Sequence, residues 1–236
     1  MPVGRQRSQG KLKLELQRAP LLDTSTRCGK IFRVKLPPLI LASASPRRAE
    51  LLRQLQPEFQ IVPSDAAEII DEQLSPLELC QLNAHRKARA VARKIPDALV
   101  LGADTLVFLG GEILGKPANL AEAERMLASL QGKTHQVVTG VSLIRLRGCR
   151  ERLFAVSTDV TFHPLTARQI KEYISRVNPL DKAGAYAIQE QGDKIVAEIS
   201  GSFSNVVGLP VERLGDELKS WDRAGDSGMS AGGVDQ

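Results

Sequence analysis

The run Ser43-Ala44-Ser45-Pro46-Arg47-Arg48 holds two hydroxyls and two guanidiniums. It follows the apolar strand LILAS (39–43) and opens a helix, with Ser45 as N-cap and Pro46 at the first helical position. Free N–H groups at a helix start carry partial positive charge, and the side chains add charge-assisted donors. That chemistry suits a polyphosphate. Read locally, the same residues also describe a capped surface helix with two solvated arginines. Asp104 is the second candidate. ALVLGAD (98–104) reads as a buried strand that delivers a carboxylate at its C-terminal end, where ligands of open α/β sheets bind. A buried Asp needs a metal, a base role or an arginine partner, and Thr105 adds a hydroxyl beside it. The alternative is a turn-capping Asp.

Gly110 to Lys116 spells G-x-x-x-x-G-K, the first part of a phosphate-binding loop. Such a loop needs a Ser or Thr after the Lys and a helix whose N–H groups cradle phosphate. Pro117 follows here, inside a hairpin pattern, so that reading is rejected. Lys116 can still reach a phosphate as a point charge, stiffened by the Lys-Pro junction. Lys87, in the run His85-Arg86-Lys87-Ala88-Arg89, and Glu68 read by themselves as solvated surface groups. His85, His135 and His163 lack ligand spacing and read as structural. No G-x-S-x-G elbow or Cys/His pair supports covalent catalysis.

The elements that must position these groups follow from periodicity and capping. Leu51, Leu52 and Leu55 give the helix after Pro46 one apolar stripe, and Phe59–Val62 reads as a second strand. Ser75-Pro76-Leu77-Glu78 is a capping box that starts a long helix to about Lys94, ended by Pro96. Two apolar runs about Gly110-Gly111 predict a hairpin. Asn119 caps a helix through Leu130, and Thr166 with Gln169 opens another to about Val177. Val137–Leu146 and Leu153–Phe162 alternate as paired strands; Ile195–Ile199 is a further strand and Pro210–Trp221 a last helix. Strands and helices alternate with hairpins mixed in, which predicts an α/β domain with a mixed, twisted sheet and flanking helices.

Composition narrows the function. Of 236 residues, 42% are apolar, enough for one core. The net charge is +5, yet residues 1–37 alone carry +7, leaving −2 for the rest. The core is therefore not a basic nucleic-acid-binding domain. No apolar run reaches the ~18–20 residues of a membrane span. Cys28, Cys80 and Cys149 form no CxxC pair, which argues against a disulfide framework or zinc site and fits a reducing, cytoplasmic setting. The expected organisation is a basic, disordered extension or transit peptide over 1–37, a domain over 38–222 and a Gly/Ser/Asp-rich disordered tail over 223–236.

Seven stretches resemble, in order, the Maf family of nucleotide pyrophosphatases: LILASASPRRAELL (39–52), Lys87-Ala88, LGADTLV (101–107), LGKP (114–117), THQVVTGV (134–141), DKAGAYAIQ (181–189) and SGSFSNVVGLP (200–210). DKAGAY (181–186) followed by Gln189 is similar to the branch acting on dTTP and UTP, and not to the branch for methylated GTP. The resemblance implies an inosine triphosphate pyrophosphatase-like fold and cleavage of a nucleoside triphosphate to monophosphate and pyrophosphate. It implies Asp104 as proton acceptor, Arg47, Thr105 and Gln189 in substrate selection, and Ser43, Arg48, Glu68, Lys87 and Lys116 lining the site. It also implies a divalent cation, magnesium or manganese, held by Glu68 and Asp104, and a homodimer. Ala187 and Phe203 depart from the common Gly and Tyr, and the basic extension departs from the usual pattern. Tyr186 would supply an aromatic wall for the base and Gln189 a directional amide. Two other readings carry a phosphate site: a non-catalytic nucleotide-binding regulator of septum formation, in which Asp104 is dispensable, and a nucleotidyl or phosphoryl transferase, for which no acceptor motif exists.

Overall fold

A computed structural model describes residues 36–71 and 73–226. The basic extension, apart from Leu36 and Pro37, and the final residues 227–236 lie outside the described residues. The disorder expected of both segments falls on those residues.

The chain order is β1 (Leu39–Leu41), α1 (Pro46–Leu55), β2 (Gln60–Ile61), α2 (Pro76–Ala92), β3 (Leu99–Leu109), β4 (Glu112–Leu114) and α3 (Leu120–Leu130). β5 (Thr134–Arg145), β6 (Arg150–Phe162), α4 (Ala167–Arg176), β7 (Val196–Ser200), α5 (Phe203–Val207) and α6 (Val211–Asp226) follow. The predicted caps are present: Ser45 accepts from Arg48 N, Ser75 and Glu78 form a capping box, as do Thr166 and Gln169, and Asn119 accepts from Glu122 N. Two short features were not anticipated. α5 is a single-turn helix capped by Ser202, too short to leave an apolar period. α6 runs to Asp226, past Trp221, where the helix was expected to end, and into the tail expected from residue 223.

The sheet order is β2-β1-β3-β5-β6-β7, with β4 paired to β3. β1 runs parallel to β2 and β3, and every other pairing is antiparallel, so the sheet is mixed as expected. β3 differs from expectation in one respect. It does not end at Asp104 but runs on to Leu109, because it pairs with β5 from Val100 opposite Ile144 through Phe108 opposite Gln136. The parallel part does end early. β1 covers the β3 edge at Leu99–Leu101 and β4 covers it at Val107–Leu109. Between them the edge has no strand partner among the described residues, and Asp104 sits in that gap.

Alternation along β3 sorts its side chains onto two faces. Val100, Gly102, Asp104, Leu106 and Phe108 face α2, where Cys80, Ala84 and Ala88 recur one helical turn apart. The approach is so close that it requires glycine. A Cβ on Gly102 would meet Ala84 O and come within 2.7 Å of Ala88 N. One on Gly140, opposite Asp104, would meet the Cys80 backbone and lie 2.5 Å from Gln81 N. Leu99, Leu101, Ala103 and Val107 lie on the other face, against α1 and α6 or against α3 and α4. The result is three layers: α2, the sheet, and the remaining helices.

Candidate active site

The gap in the β3 edge opens into a cleft of about 480 Å³. Ser43, Arg47, Arg48, Glu68, Lys87, Asp104, Thr105, Lys116 and Gln189 all line it. Residues separated by as much as 146 positions in the chain thus meet in one cavity.

On the α2 side, the centre is Asp104, 2% exposed. Its Oδ1 accepts from Lys87 Nζ at 2.5 Å, while Oδ2 is buried without a partner. Lys87 also donates to Glu68 Oε1 at 2.7 Å, so one ammonium bridges two carboxylates. Glu68 comes from the long segment between β2 and α2, which regular structure does not hold. Asn83 holds it instead. Its amide accepts from Ile69 N at 2.8 Å and donates to Ile69 O at 2.9 Å, pinning the segment to α2. Burial pushes the Glu68 carboxyl up, but the Lys87 hydrogen bond and the charges of Lys87, Lys116 and Arg48 outweigh it and hold it below its ordinary value.

Arg48 lies on the other side. Its Nε donates to Gly208 O at 2.9 Å, Nη2 to Thr105 Oγ1 at 2.9 Å, and Nη1 to Ser43 Oγ at 3.4 Å. Burial lowers the guanidinium's pKa, and Asp104 and Glu68 pull it back up. It remains a cation at neutral pH. Ser43 Oγ also accepts from Ser45 N at 3.2 Å, shaping the turn into α1. Arg47, one position earlier on α1, reaches across to Asp181 instead, with Nη1 3.0 Å from Oδ2. Lys182, 5% exposed, holds the other Asp181 oxygen at 2.8 Å and donates to Asn178 O at 2.7 Å. Burial raises the Asp181 pKa, but the hydrogen bonds from Lys182 and Arg47 carry it below normal.

Lys116 stands exposed after β4, in a loop and not at a helix start, which agrees with rejecting the phosphate-loop reading. Gln189 is exposed on the segment after the Gly184 turn. Tyr186 requires a correction. It borders the cleft, but its ring is core: 6% exposed, with its hydroxyl 2.8 Å from His135 Nε2. It packs edge-on against His135 and Phe162, at 5.4 and 4.9 Å between centroids. A ring held on its edges and at its hydroxyl is not a free wall for a base.

Sequence reasoning passed over Asn83, Asp181, Lys182 and Thr139. Asp181, Lys182 and Thr139 stand inside the matched stretches 181–189 and 134–141, so position was the available signal. Asn83 is a polar side chain on the buried face of α2, a place where an amide must find partners.

The charge inventory suits a polyanion. Arg47, Arg48, Lys87 and Lys116 line the same cleft as Asp104, a carboxylate with one free oxygen. Such a site can draw a proton from a water while holding negative oxygens in place. Its donor set also fits a hard divalent cation. Asp104 Oδ2 is an unsatisfied buried oxygen, and Glu68 lies across the shared Lys87 ammonium. Magnesium is typically bound by one or two carboxylates plus substrate phosphates. Among the described residues no group of three or more His, Cys, Asp or Glu could cage a metal by itself.

A family model described as Maf-like protein matches residues 38–221. A dTTP/UTP pyrophosphatase of Carboxydothermus hydrogenoformans is 46% identical over 183 residues, 78% of this chain and 98% of the relative. One from Symbiobacterium thermophilum is 51% identical over 175 residues, 74% of this chain and 89% of the relative. One from Akkermansia muciniphila is 48% identical over 176 residues, covering 75% and 92%. Among the described residues no helix is long and apolar enough to cross a membrane.

Proposed function

This chain belongs to the Maf-like protein family, and from that membership and the site we propose that it is a nucleoside triphosphate pyrophosphatase acting on dTTP and UTP. It cleaves between the α and β phosphates, giving the monophosphate and pyrophosphate, and works in the cytoplasm. The observation that carries the reading is Asp104 Oδ2, a buried carboxylate oxygen without a partner, in a cleft that Arg47, Arg48, Lys87 and Lys116 also line. A regulator that only bound nucleotide would have no use for that oxygen.

Lys87 fixes Oδ1 and keeps Asp104 oriented, and Oδ2 accepts the proton of the attacking water. Arg48 and Lys116 bind the triphosphate oxygens, together with the start of α1. Arg47 joins them on leaving Asp181. Negative charge that builds on the departing pyrophosphate is met by these fixed cations, so catalysis is chiefly positioning and electrostatics. Glu68 and Asp104 would hold a magnesium or manganese ion. When bound, that ion supplies charge neutralisation on the phosphates and a more acidic water.

Gln189 selects the base. Its N–H and C=O suit the alternating edge of uracil or thymine, whereas cytosine reverses part of that edge. Once a bound base covers this exposed amide, a group left unsatisfied costs ~1–3 kcal/mol, and 1.4 kcal/mol is a factor of ten. Incubating the full chain with UTP, dTTP, CTP, ATP and GTP and separating products by ion exchange tests the reading. UMP, dTMP and pyrophosphate are expected, with the other three at least about tenfold slower. A preference for purine triphosphates, or release of orthophosphate in place of pyrophosphate, overturns it.

A further inference from the structure

We infer that Thr139, fully buried and outside the cleft wall, is a positioning residue for Arg48, acting through the Thr105 hydroxyl. The inference rests on the pyrophosphatase reading only for its kinetic readout.

The shorter contacts set the direction of the chain of bonds. A threonine hydroxyl has a single hydrogen to give. Thr139 gives its hydrogen to Asn205 O at 3.1 Å. Thr105 Oγ1 lies 2.9 Å from Thr139 Oγ1; with the Thr139 hydrogen on Asn205 O, Thr105 is the donor there, whereas the reverse order leaves Thr105 only Gly208 O at 3.5 Å. That leaves the Thr105 lone pairs to accept from Arg48 Nη2 at 2.9 Å. The order is Arg48 to Thr105 to Thr139 to the Asn205 carbonyl, a run that begins at a cation and polarises in one sense.

The run closes into a ring. Gly208 N also donates to Asn205 O, at 3.0 Å, and Gly208 O takes Arg48 Nε at 2.9 Å. Asn205 is itself fixed, its Nδ2 donating to Val137 O at 2.9 Å and Thr158 Oγ1 at 3.0 Å. The guanidinium therefore spends three of its N–H groups on Ser43, Thr105 and Gly208, leaving two for a ligand. Its plane is set by acceptors from three separate segments.

The sheet itself does not ask for this hydroxyl. Val137, Val138 and Val141 lie in the same strand, and a valine at 139 would fill nearly the same volume. Without the hydroxyl, the Thr105 proton loses its 2.9 Å acceptor. The remaining choice is Gly208 O at 3.5 Å, the carbonyl that already holds Arg48 Nε. Thr105 and Arg48 would then compete for one oxygen, and the fork would loosen.

Thr139→Val, Thr139→Ser, Thr105→Val and the Thr105→Val/Thr139→Val pair are compared by steady-state kinetics with dTTP. Affinity for inorganic tripolyphosphate, by calorimetry, reads Arg48 without any turnover. Thr139→Val is expected to lower both kcat/KM and tripolyphosphate affinity roughly tenfold, the size of one charge-assisted hydrogen bond, with Tm unchanged within a few degrees. Thr139→Ser should recover most of the loss. In the Thr105→Val background, adding Thr139→Val should cost less than about twofold, since the run is already broken. Wild-type kinetics and affinity for Thr139→Val, equal losses in both backgrounds, or a loss that serine does not recover overturns the inference. If the wild type binds tripolyphosphate but does not turn over dTTP, the function reading fails and calorimetry still decides the role of Thr139.

Discussion

On the α2 face of β3, Asp104 keeps one oxygen bonded and leaves the other bare, and Lys87 is shared between two carboxylates. On the opposite face, one residue later, Thr105 sits in a ring of hydrogen bonds in which every hydroxyl proton has an acceptor. Both faces reach the same cleft because, among the described residues, no strand covers the β3 edge between Leu101 and Val107. The contrast separates two tasks. A group that must take a proton needs unused acceptor capacity, which is costly to bury. A group that must hold a phosphate in one orientation needs its donors fixed beforehand, so that no reorganisation accompanies reaction.

The comparison breaks most sharply at Asp104. Asp104→Asn keeps the size of the side chain and removes its charge, so turnover should fall by about 10²–10⁴-fold, the range for general-base catalysis. Tripolyphosphate affinity should survive, because the arginine ring is untouched. Near-normal turnover by a folded Asp104→Asn protein would dissolve the distinction between the faces. Arg48→Lys probes the other side. Charge is retained, but a point ammonium cannot satisfy Ser43, Thr105 and Gly208 together. A drop in kcat/KM of roughly 10–100-fold is expected, with tripolyphosphate affinity falling alongside. If lysine serves as well as arginine, the fork geometry has no role.

The smallest effect lies further along β5, on the same face as Thr139. Burial lowers His135 to about 4, and its Nε2 lies 2.8 Å from the Tyr186 hydroxyl. A histidine whose folded pKa is depressed binds its proton more readily when unfolded. Its contribution is therefore fully present above the unfolded value of about 6.5 and is lost as pH falls toward 4. Unfolding free energy should fall by on the order of 1 kcal/mol per pH unit across that window. Denaturant melts between pH 7.5 and 4.5 would show it, and His135→Gln should flatten the slope. An unchanged slope in that variant would assign the acid sensitivity to other groups.

Much of the fold could be read along the chain because its signals are local. Ser45 with Pro46, Ser75 with Glu78, Asn119, and Thr166 with Gln169 are capping patterns satisfied within four residues of themselves. Alternation in β5 and β6 likewise needs only neighbours. The cleft residues were legible chiefly through the resemblance. By themselves Lys87 and Glu68 looked like solvated charges, and nothing local indicated that one ammonium would bridge Glu68 and Asp104.

The sequence by itself thus determined the strand-and-helix order, the capped helix start at Ser45 among hydroxyls and guanidiniums, and the carboxylate at 104. Tertiary structure decided the rest. Asp104 was expected at a strand's end, and only the long pairing with β5 carries the strand past it. Tyr186 was expected to face the base, and only the contacts of His135 and Phe162 draw it into the core. Asn83, Thr139 and Asn205 gain their meaning from partners 14, 34 and 68 residues away. The physical reason is range. Capping and periodicity are settled within a turn or two of the backbone, whereas a buried hydrogen bond is settled by whatever the fold brings opposite it.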